Sequence, residues 1–319
     1  MLKYIVKRIL IILPIVLLII FILFILLYSL TGSRIRNMPI YRNGDVLDSV
    51  FTRLNASDNL ITKYIRYCFN VLVYSDYGRL VSGRPLNGVL LSGALNTVIL
   101  LACGSFFALL IGIPLGVLSA LWKDRPVDRI ISVGSLIFSS IPNYMTAVVI
   151  ALFFVLYLGI LPMLHVKPTP VMYIMPTLAI ALGGISSITR MTRSSMIETL
   201  KQPYIYALRA KGLDNFSVVY RHALKNALIP IISVLSSFIS QLLFCSFIVE
   251  NFFGVYGLGS FMIRSLGVRE HFEILGCTVI MTTIIAVTTI ICDVIYALLN
   301  PQIKLRYSSK RSFIRNRDK

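Results

Sequence analysis

The sequence predicts an all-α integral membrane protein with six transmembrane helices. Of its 319 residues, 57% are hydrophobic and 14% are charged, whereas a soluble domain is about half apolar and a quarter charged. A helix needs roughly 20 residues to cross about 30 Å of hydrocarbon. Six runs are long enough, and they lack the alternating pattern of barrel strands. They are Ile9–Leu30, Leu95–Trp122, Ile130–Leu161, Val171–Thr189, Ala227–Val249 and Ile274–Leu299, of which the last is interrupted by Asp293 alone.

The first run follows Lys3, Lys7 and Arg8 and in this respect is similar to a signal peptide. It is longer than the apolar core of about 7–15 residues that a signal peptide has, and no small-x-small cleavage site follows it. We therefore expect residues 1–30 to form a cytosolic N-terminus and a retained first transmembrane helix.

The third run, residues 130–161, would make a helix of about 48 Å at 1.5 Å per residue, which is long enough to hide two crossings that turn at Pro142. The basic residues argue against two crossings. With six spans and both termini in the cytosol, 20 of the 31 Lys and Arg residues lie on the cytosolic side. A seventh span would place the basic cluster of residues 190–225 outside, against the positive-inside tendency. We expect one span that bends at Pro142 or continues along the interface.

The net charge of +18 needs no nucleic acid to explain it. Most of this charge falls on the predicted cytosolic face, where anionic lipid headgroups attract basic residues. We therefore expect contact with membrane lipid and no nucleic-acid partner, and residues 301–319 would form a basic cytosolic tail. The five cysteines and three histidines show no metal-ligand spacing, so we expect no metal site.

Residues 31–93 form the one sizeable segment outside the predicted spans, an extracytoplasmic loop or small cap. Within it, Asn59–Leu72 has the periodicity of an amphipathic helix. Its apolar side would hold Leu60, Ile61, Tyr64, Ile65, Cys68, Phe69 and Leu72. The sequence is compatible with a structured connector and with a contact for an external partner.

The predicted core, residues 94–300, contains a long basic segment, residues 190–226, between the fourth and fifth spans. Pro203 suits the first position of a helix and Gly212 suits the left-handed residue after its end, so a short helix is predicted over Pro203–Lys211. Asp214 or Asn215 can cap a second helix that leads into the fifth span. A short helix of this kind can dock on a partner protein or lie on the lipid surface.

Three pieces of this segment resemble the signature loop of ABC importer permeases, the inner-membrane subunits. They are TRSSM at Thr192–Met196, YALRAKGL at Tyr206–Leu213 and HALKNALIP at His222–Pro230. The resemblance is to the first of the two permeases in the dipeptide, oligopeptide and nickel group. That family has Glu-Ala-Ala, three residues and Gly in this loop, and here Tyr206, Ala207, Leu208 and Gly212 stand at those positions.

Further motifs resemble the same family in the expected order along the chain. They are SGRPL at Ser82–Leu86, Asn96-Thr97, GIPLGVLSAL at Gly112–Leu121, Asp128-Arg129, SIPNY at Ser140–Tyr144, VENFFGVYGLG at Val249–Gly259 and DVIYALLNPQI at Asp293–Ile303. The resemblance covers nearly all of the chain from Ser82 onward, together with the first span.

The resemblance implies a type I ABC importer transmembrane-domain fold in a bacterial or archaeal cytoplasmic membrane. It implies a non-catalytic permease subunit for peptides or related small solutes, including nickel or other metal chelates. Its partners would be a second homologous permease, two ATP-binding subunits that use ATP and Mg²⁺, and an extracytoplasmic solute-binding protein. The chain lacks a G-x4-G-K-[ST] loop, so we expect it to bind no cofactor of its own.

The same resemblance implies that the cytosolic helix couples ATPase motion to transport. The residues expected to contact the ATPase are Tyr204, Tyr206, Ala207, Leu208, Arg209, Lys211, Gly212 and Leu213.

Asp293 is the one charge inside a predicted span, about two turns from its cytosolic end. An intramembrane acid is a candidate for a functional role such as proton coupling. It also lies close enough to the end of the fourth span to meet Arg190 or Arg193, and the family usually has Asp there. We expect a structural ion pair.

Polar residues near the middle of the predicted core could line a pathway. The candidates are Ser139 and Asn143 at the bend, and Ser236, Ser240 and Gln241 on the fifth span. Serines at 233, 236, 237 and 240 share one helix face. Such small-residue faces also pack helices together in membranes, so both roles stay open.

The alternative function is an ion-coupled secondary transporter. Such a carrier would be expected to have several intramembrane ionisable groups or broken helices in repeated positions. This sequence shows one intramembrane acid and no repeat. A membrane-embedded enzyme is less well supported, because the H-E-x-x-H and G-x-S-x-G motifs are absent.

Overall fold

The computed structural model of the protein describes residues 2–31, 59–80, 84–161, 170–268 and 270–299. Within these ranges the chain is helical, and its one β-bridge pairs Arg79 with Pro85. The predicted all-α class is confirmed. Residues 32–58 and 81–83 of the predicted outer loop and all of the predicted tail, residues 301–319, lie outside the described residues.

Ten α-helices make up the described part of the chain. They are α1 (Leu2–Thr31), α2 (Leu60–Tyr74), α3 (Leu86–Leu121), α4 (Pro126–Ser140), α5 (Asn143–Ala151), α6 (Ile174–Leu200), α7 (Pro203–Ala210), α8 (Leu224–Phe252), α9 (Leu258–Val268) and α10 (His271–Leu299). A π-helical turn, Leu152–Tyr157, extends α5, and another, Ser217–Ala223, leads into α8.

Four helices, α1, α3, α6 and α10, are each long and apolar enough to cross a membrane. Two bent pairs of helices are also long and apolar enough when each pair is taken together: Pro126–Ser140 with Tyr144–Tyr157 at 104°, and Ser217–Ile232 with Ser237–Phe252 at 56°. Counting each bent pair as one span gives six by length and composition, which agrees with the predicted number and order.

The bend between α4 and α5 falls at Pro142, as predicted. Helix α4 ends at Ser140, and Ile141 is extended with φ −83° and ψ 123°. A residue before proline is driven out of the helical region, and proline cannot donate the hydrogen bond that would continue the helix. Pro142 therefore ends one helix and precedes the first residue of the next.

The chain divides into two compact units. The first draws its described residues from 2–8, 100–249 and 287–299, and the second from 9–99 and 250–286.

In the first unit, glycines on α3 allow α6 to approach closely. A Cβ atom added to Gly104 would lie 2.7 Å from Cγ2 of Ile180, and one added to Gly116 would lie 2.5 Å from Cβ of Thr192. Small residues at four-residue intervals let helix backbones pack closely in membranes, and Gly104, Gly112 and Gly116 fall on such intervals. This glycine stripe packs α3 against α6, the helix that leads into α7.

In the second unit, the buried carboxylate of Glu250 organises the turn before α9. It accepts hydrogen bonds from Oγ1 of Thr97 at 2.8 Å and from the backbone nitrogens of Gly259 at 2.8 Å and Ser260 at 3.2 Å. These two nitrogens belong to the first turn of α9, whose N–H groups have no partner within the helix. A Cβ at Gly257 would lie 2.4 Å from the Glu250 carboxylate, so the turn requires glycine there.

Candidate functional site

Helix α7 starts and stops where the sequence predicts, within one residue. Gln202 is extended, with φ −70° and ψ 143°, and Pro203 begins the helix. Gly212 has φ +80°. Its backbone nitrogen donates to the carbonyl of Arg209 at 3.0 Å, and that of Leu213 donates to the carbonyl of Leu208 at 3.3 Å. This pair of bonds is the Schellman motif, which ends helices at a left-handed glycine.

Ile205 anchors α7 to the rest of the first unit. It is fully buried in a cluster with Val117 and Ala120 from α3, Met196 from α6, Val218, Val219 and Ala223 from the π-helical turn before α8, and Ala227 from α8. Leu208 and Leu213 pack against this cluster and are half-buried. These two leucines, predicted to contact the ATPase, therefore turn mainly inward. Sequence reasoning missed Ile205, although Ile205 and Leu208 are three residues apart and share an apolar helix face.

The opposite face of α7 and the two residues after the helix are exposed, and we call this face the coupling surface after the role predicted from the sequence. Its members are Tyr204, Tyr206, Ala207, Arg209, Lys211 and Gly212. Tyr206 is 59% exposed. Tyr204 is held by the side-chain nitrogen of Asn226, which donates to its hydroxyl at 2.8 Å. The coupling surface is therefore an aromatic and basic face on a helix whose other side packs against the protein.

Two further aromatic residues follow α7 and were not predicted. Phe216 and Tyr220 are 71% and 46% exposed, and their ring centroids lie 4.6 Å apart. Their only signal in the sequence is an aromatic pair four residues apart in a segment that leaves the membrane.

Asp214 caps the helix that begins after α7. Its Oδ2 accepts a hydrogen bond from the backbone nitrogen of Ser217 at 3.0 Å. The hydrogen bonds from the Ser217 side chain and backbone lower the pKa of this carboxyl below its usual value. Of the two predicted caps, the structure selects Asp214 over Asn215.

A buried ion pair joins α4 to α6 shortly before α7. Nε of Arg193 donates to Oδ1 of Asp128 and Nη2 donates to Oδ2, each at 2.7 Å. Asp128 also accepts from the hydroxyls of Ser119 and Ser132 and from the backbone nitrogen of Asp124. Asp128 is 3% exposed. Charged partners and several donors offset the cost of burying this carboxylate.

This pairing corrects the partner predicted for Asp293. The guanidinium of Arg193 is occupied by Asp128, and Arg190 is exposed. Asp293 instead lies beside Arg8, with 3.0 Å between Nε and Oδ2. The acid is in an ion pair, as expected, but with the N-terminal helix. A pairing over nearly the whole chain length leaves no local sequence signal.

A cleft of about 600 Å³ lies within the first unit. It is lined by Tyr144 on α5 and by Ser237, Ser240, Gln241, Phe244, Cys245 and Ile248 on α8. Of the predicted pathway residues, Ser240 and Gln241 therefore lie in the cleft. Ser139 is exposed and is not among the lining residues, and the side chains of Asn143 and Ser236 lie outside the described residues. The lining is uncharged and carries hydrogen-bonding groups.

Among the residues that the structure describes, no three His, Cys, Asp or Glu side chains come close enough together to hold a metal ion.

Residues 112–305 match the family described as the binding-protein-dependent transport system inner membrane component. The chain belongs to this family. The permease is 31% identical to the dipeptide transport system permease protein DppB of Bacillus subtilis, over 96% of this chain and 99% of the relative. It is 29% identical to the oligopeptide transport system permease protein AppB of the same organism, over 95% and 100%.

A third relative is the glutathione transport system permease protein GsiC of Salmonella paratyphi A, 29% identical over 96% of this chain and 100% of the relative. These similarities place the permease in the peptide group of ABC importer permeases and confirm the resemblance seen in the sequence.

A solved structure supports the predicted fold. The permease is similar to a chain of the inward-facing MetNI methionine ABC transporter, with a TM-score of 0.55 and 19% identity, over 67% of this chain and 98% of that chain. The type I ABC importer transmembrane-domain fold is thereby confirmed.

Proposed function

We propose that this permease forms half of the translocation pathway of an ABC importer for short peptides, and that α7 transmits ATPase motion to it. The observation that carries the proposal is the two-sided character of α7. Ile205 fixes one side in the protein, while the coupling surface on the other side is exposed and contains aromatic and basic groups. A helix held in this way moves as one body with α6 and with the segment leading into α8.

The assembly would contain a second homologous permease, two ATP-binding subunits that hydrolyse ATP with Mg²⁺, and an extracytoplasmic solute-binding protein. This permease would then be the mechanical, non-catalytic part. Its Lys201, Arg209, Lys211 and Arg221 are exposed in the cytosolic segment. These charges favour an ATP-binding subunit with acidic groups at the rim of its docking groove.

Short peptides are the proposed substrate class. The relatives are a dipeptide, an oligopeptide and a glutathione permease by name. The cleft offers hydroxyl and amide groups without formal charge, and such groups can bond to peptide amides whatever the substrate's side chains. The described residues give no independent support to nickel or another metal as substrate.

The ion pair offers a route from α7 to the cleft. Helix α6 leads into α7, Arg193 on α6 holds Asp128 on α4, and α4 is followed by α5, which carries Tyr144 at the cleft. The α5 helix also packs along α6. A shift of α7 would therefore move one wall of the cleft through a charge-paired contact.

The proposed function is tested by reconstituting the permease in liposomes with its second permease, its ATP-binding subunits and its binding protein. We expect uptake of a radiolabelled dipeptide only when ATP is present at the face carrying α7. Uptake by this permease alone, driven by a proton or sodium gradient, would instead support the ion-coupled transporter.

A further inference from the structure

The buried and exposed faces of helix α2 are the reverse of those expected for a helix in water. Its packed face holds Lys63, Tyr67 and Val71, which are buried. The opposite face presents large apolar side chains, and Ile65 is 60% exposed. That face consists of Ile61, Ile65, Phe69 and Leu72. In water the apolar side would be expected to pack inward and the lysine to point outward.

The start of α2 lies deep along α1. The hydroxyl of Tyr64 donates a hydrogen bond to the backbone carbonyl of Leu17 at 2.7 Å. The Tyr64 ring centroid also lies 4.9 Å from that of Phe21 and 5.9 Å from that of Phe24. Leu17 is 13 residues before Leu30, the end of the uncharged run of α1. Leu17 also stands 8 residues after Ile9, where the run begins. At 1.5 Å per residue it lies about 12 Å from one end of the run and about 20 Å from the other, so it is near the middle of a hydrocarbon layer about 30 Å thick.

The C-terminal end of α2 lies near the outer edge of the hydrocarbon layer. A Cβ at Gly78, four residues beyond α2, would lie 3.0 Å from the ring of Phe272, at the start of α10. The carbonyl of Gly78 accepts a hydrogen bond from the nitrogen of Leu86, the first residue of α3. Phe272, at the start of α10 and two residues before the uncharged run that begins at Ile274, therefore marks this level. The 15 residues of α2 cover about 22 Å, which is half of the roughly 40–45 Å that a bilayer spans with its headgroups.

We propose that α2 is a half-span inserted in the outer leaflet, and that its face of Ile61, Ile65, Phe69 and Leu72 is covered by lipid acyl chains. The reversed orientation then has a physical cause. In a bilayer, charged side chains turn toward the protein interior and apolar ones toward lipid, which is how Lys63 and Ile65 lie. Helix α1 presents apolar residues at the same depth, since Ile22 is 57% and Leu26 is 50% exposed.

With this placement, the segment between α1 and α3 contains a helix inserted in the membrane. It is more than a loop in water, because its described helix packs on α1 and α10 through Tyr67, Val71 and Ile274. Because α2 does not cross the whole layer, it leaves the predicted orientation of every later span unchanged. The inference does not depend on the substrate or on the coupling role of α7.

The test is site-directed spin labelling of the assembled importer in liposomes, with the native cysteines replaced. Labels go on single cysteines at Ile65 and Phe69, on Ile22 as the lipid-facing reference, and on Ser75 as the water-facing reference. Ser75 is exposed and directly follows α2. Power saturation then compares access to oxygen, which concentrates in the hydrocarbon, with access to a water-soluble nickel complex.

We expect Ile65 and Phe69 to match Ile22, with high oxygen access and loss of the nickel access seen at Ser75. Nickel access equal to that at Ser75 would overturn the proposal and place the face in water or under the binding protein. Low access to both reagents would also overturn it, because the second permease or another protein would then cover the face. Membrane abundance of each variant, compared with the cysteine-free parent, shows that a label has not prevented folding.

Discussion

Arg193 donates hydrogen bonds to both carboxylate oxygens of Asp128, from Nε to Oδ1 and from Nη2 to Oδ2, each at 2.7 Å. The two residues are 65 positions apart, and the aspartate side chain is almost completely buried. The pair ties the beginning of α4 to the part of α6 that leads into α7. It is therefore placed to hold α7 in a fixed relation to the wall of the cleft.

Removing the Arg193 side chain should strongly lower both the stability of the importer and its transport activity. Arg193→Ala leaves the buried charge of Asp128 without its cation, and breaking a buried pair costs about 3–5 kcal/mol. Arg193→Lys should give an intermediate loss, because lysine keeps the charge but cannot bond to both oxygens in the same planar geometry. The measurements are the Tm of the assembled importer and ATP-driven peptide uptake. Arg190→Ala is the matched control, since Arg190 is exposed. Wild-type Tm and uptake in Arg193→Ala would refute a structural role for the pair.

Ile205→Ala should loosen α7 without disturbing the spans. Truncating a buried isoleucine costs about 2–5 kcal/mol, and Ile205 is the fully buried side chain of α7. We expect faster trypsin cleavage at Lys201 and Lys211 in inside-out vesicles, together with weaker capture of the ATP-binding subunits. Tyr206→Ala, on the exposed face, should weaken capture while cleavage stays at the wild-type rate. Equal cleavage of both variants would show that Ile205 is not the anchor.

Gln241→Leu removes an amide from the cleft at similar size. If peptide amides bond to it during passage, the loss of one neutral hydrogen bond of about 0.5–1.5 kcal/mol should slow dipeptide uptake about two- to tenfold. Binding of the ATP-binding subunits should be unchanged. Ser139→Ala is the control outside the cleft and should transport normally. Unchanged uptake by Gln241→Leu would argue that α8 packs against protein at this point.

The orientation of the spans can be checked by labelling in intact cells. A cysteine at Ser75 should react with a membrane-impermeant maleimide from outside, and one at Asn215 should react only after the cells are opened. This outcome follows from the 20 basic residues on the predicted cytosolic side. External labelling at Asn215 would show that the topology is the reverse of the predicted one and that α7 does not lie in the cytosol.

The sequence was sufficient for features controlled by local chemistry. Uncharged runs predicted the spans, Pro142 the bend, and the Pro203 and Gly212 pair the limits of α7, because each depends on hydropathy or on the backbone limits of one residue. Long-range pairing was not accessible in this way. The partners of Asp128 and Asp293 are 65 and 285 residues away, and several cytosolic arginines were chemically equivalent candidates for each acid.

Helix α2 shows a second limit. Its periodicity predicted correctly that Ile61, Ile65, Phe69 and Leu72 share one side. Periodicity does not show whether that side meets the protein, water or lipid, because all three choices give the same spacing. The depth set by the Tyr64 bond to Leu17 supplies the missing information.

The central claim, that α7 couples ATP hydrolysis to transport, is tested most directly by ATP-driven peptide uptake of Ala207→Asp at wild-type membrane abundance. Ala207 is exposed on the coupling surface, so the new acid would be buried without a partner against the ATP-binding subunit. Gly212→Ala should cause a modest loss, because a residue with a Cβ pays about 1 kcal/mol at positive φ and a Cβ there meets no other atom within 4 Å.

Asn215→Asp adds the same charge beyond α7 and serves as the matched control. The account predicts that uptake is abolished in Ala207→Asp and retained in Asn215→Asp. Normal uptake by Ala207→Asp would contradict it and would leave α7 as a helix lying on the lipid surface.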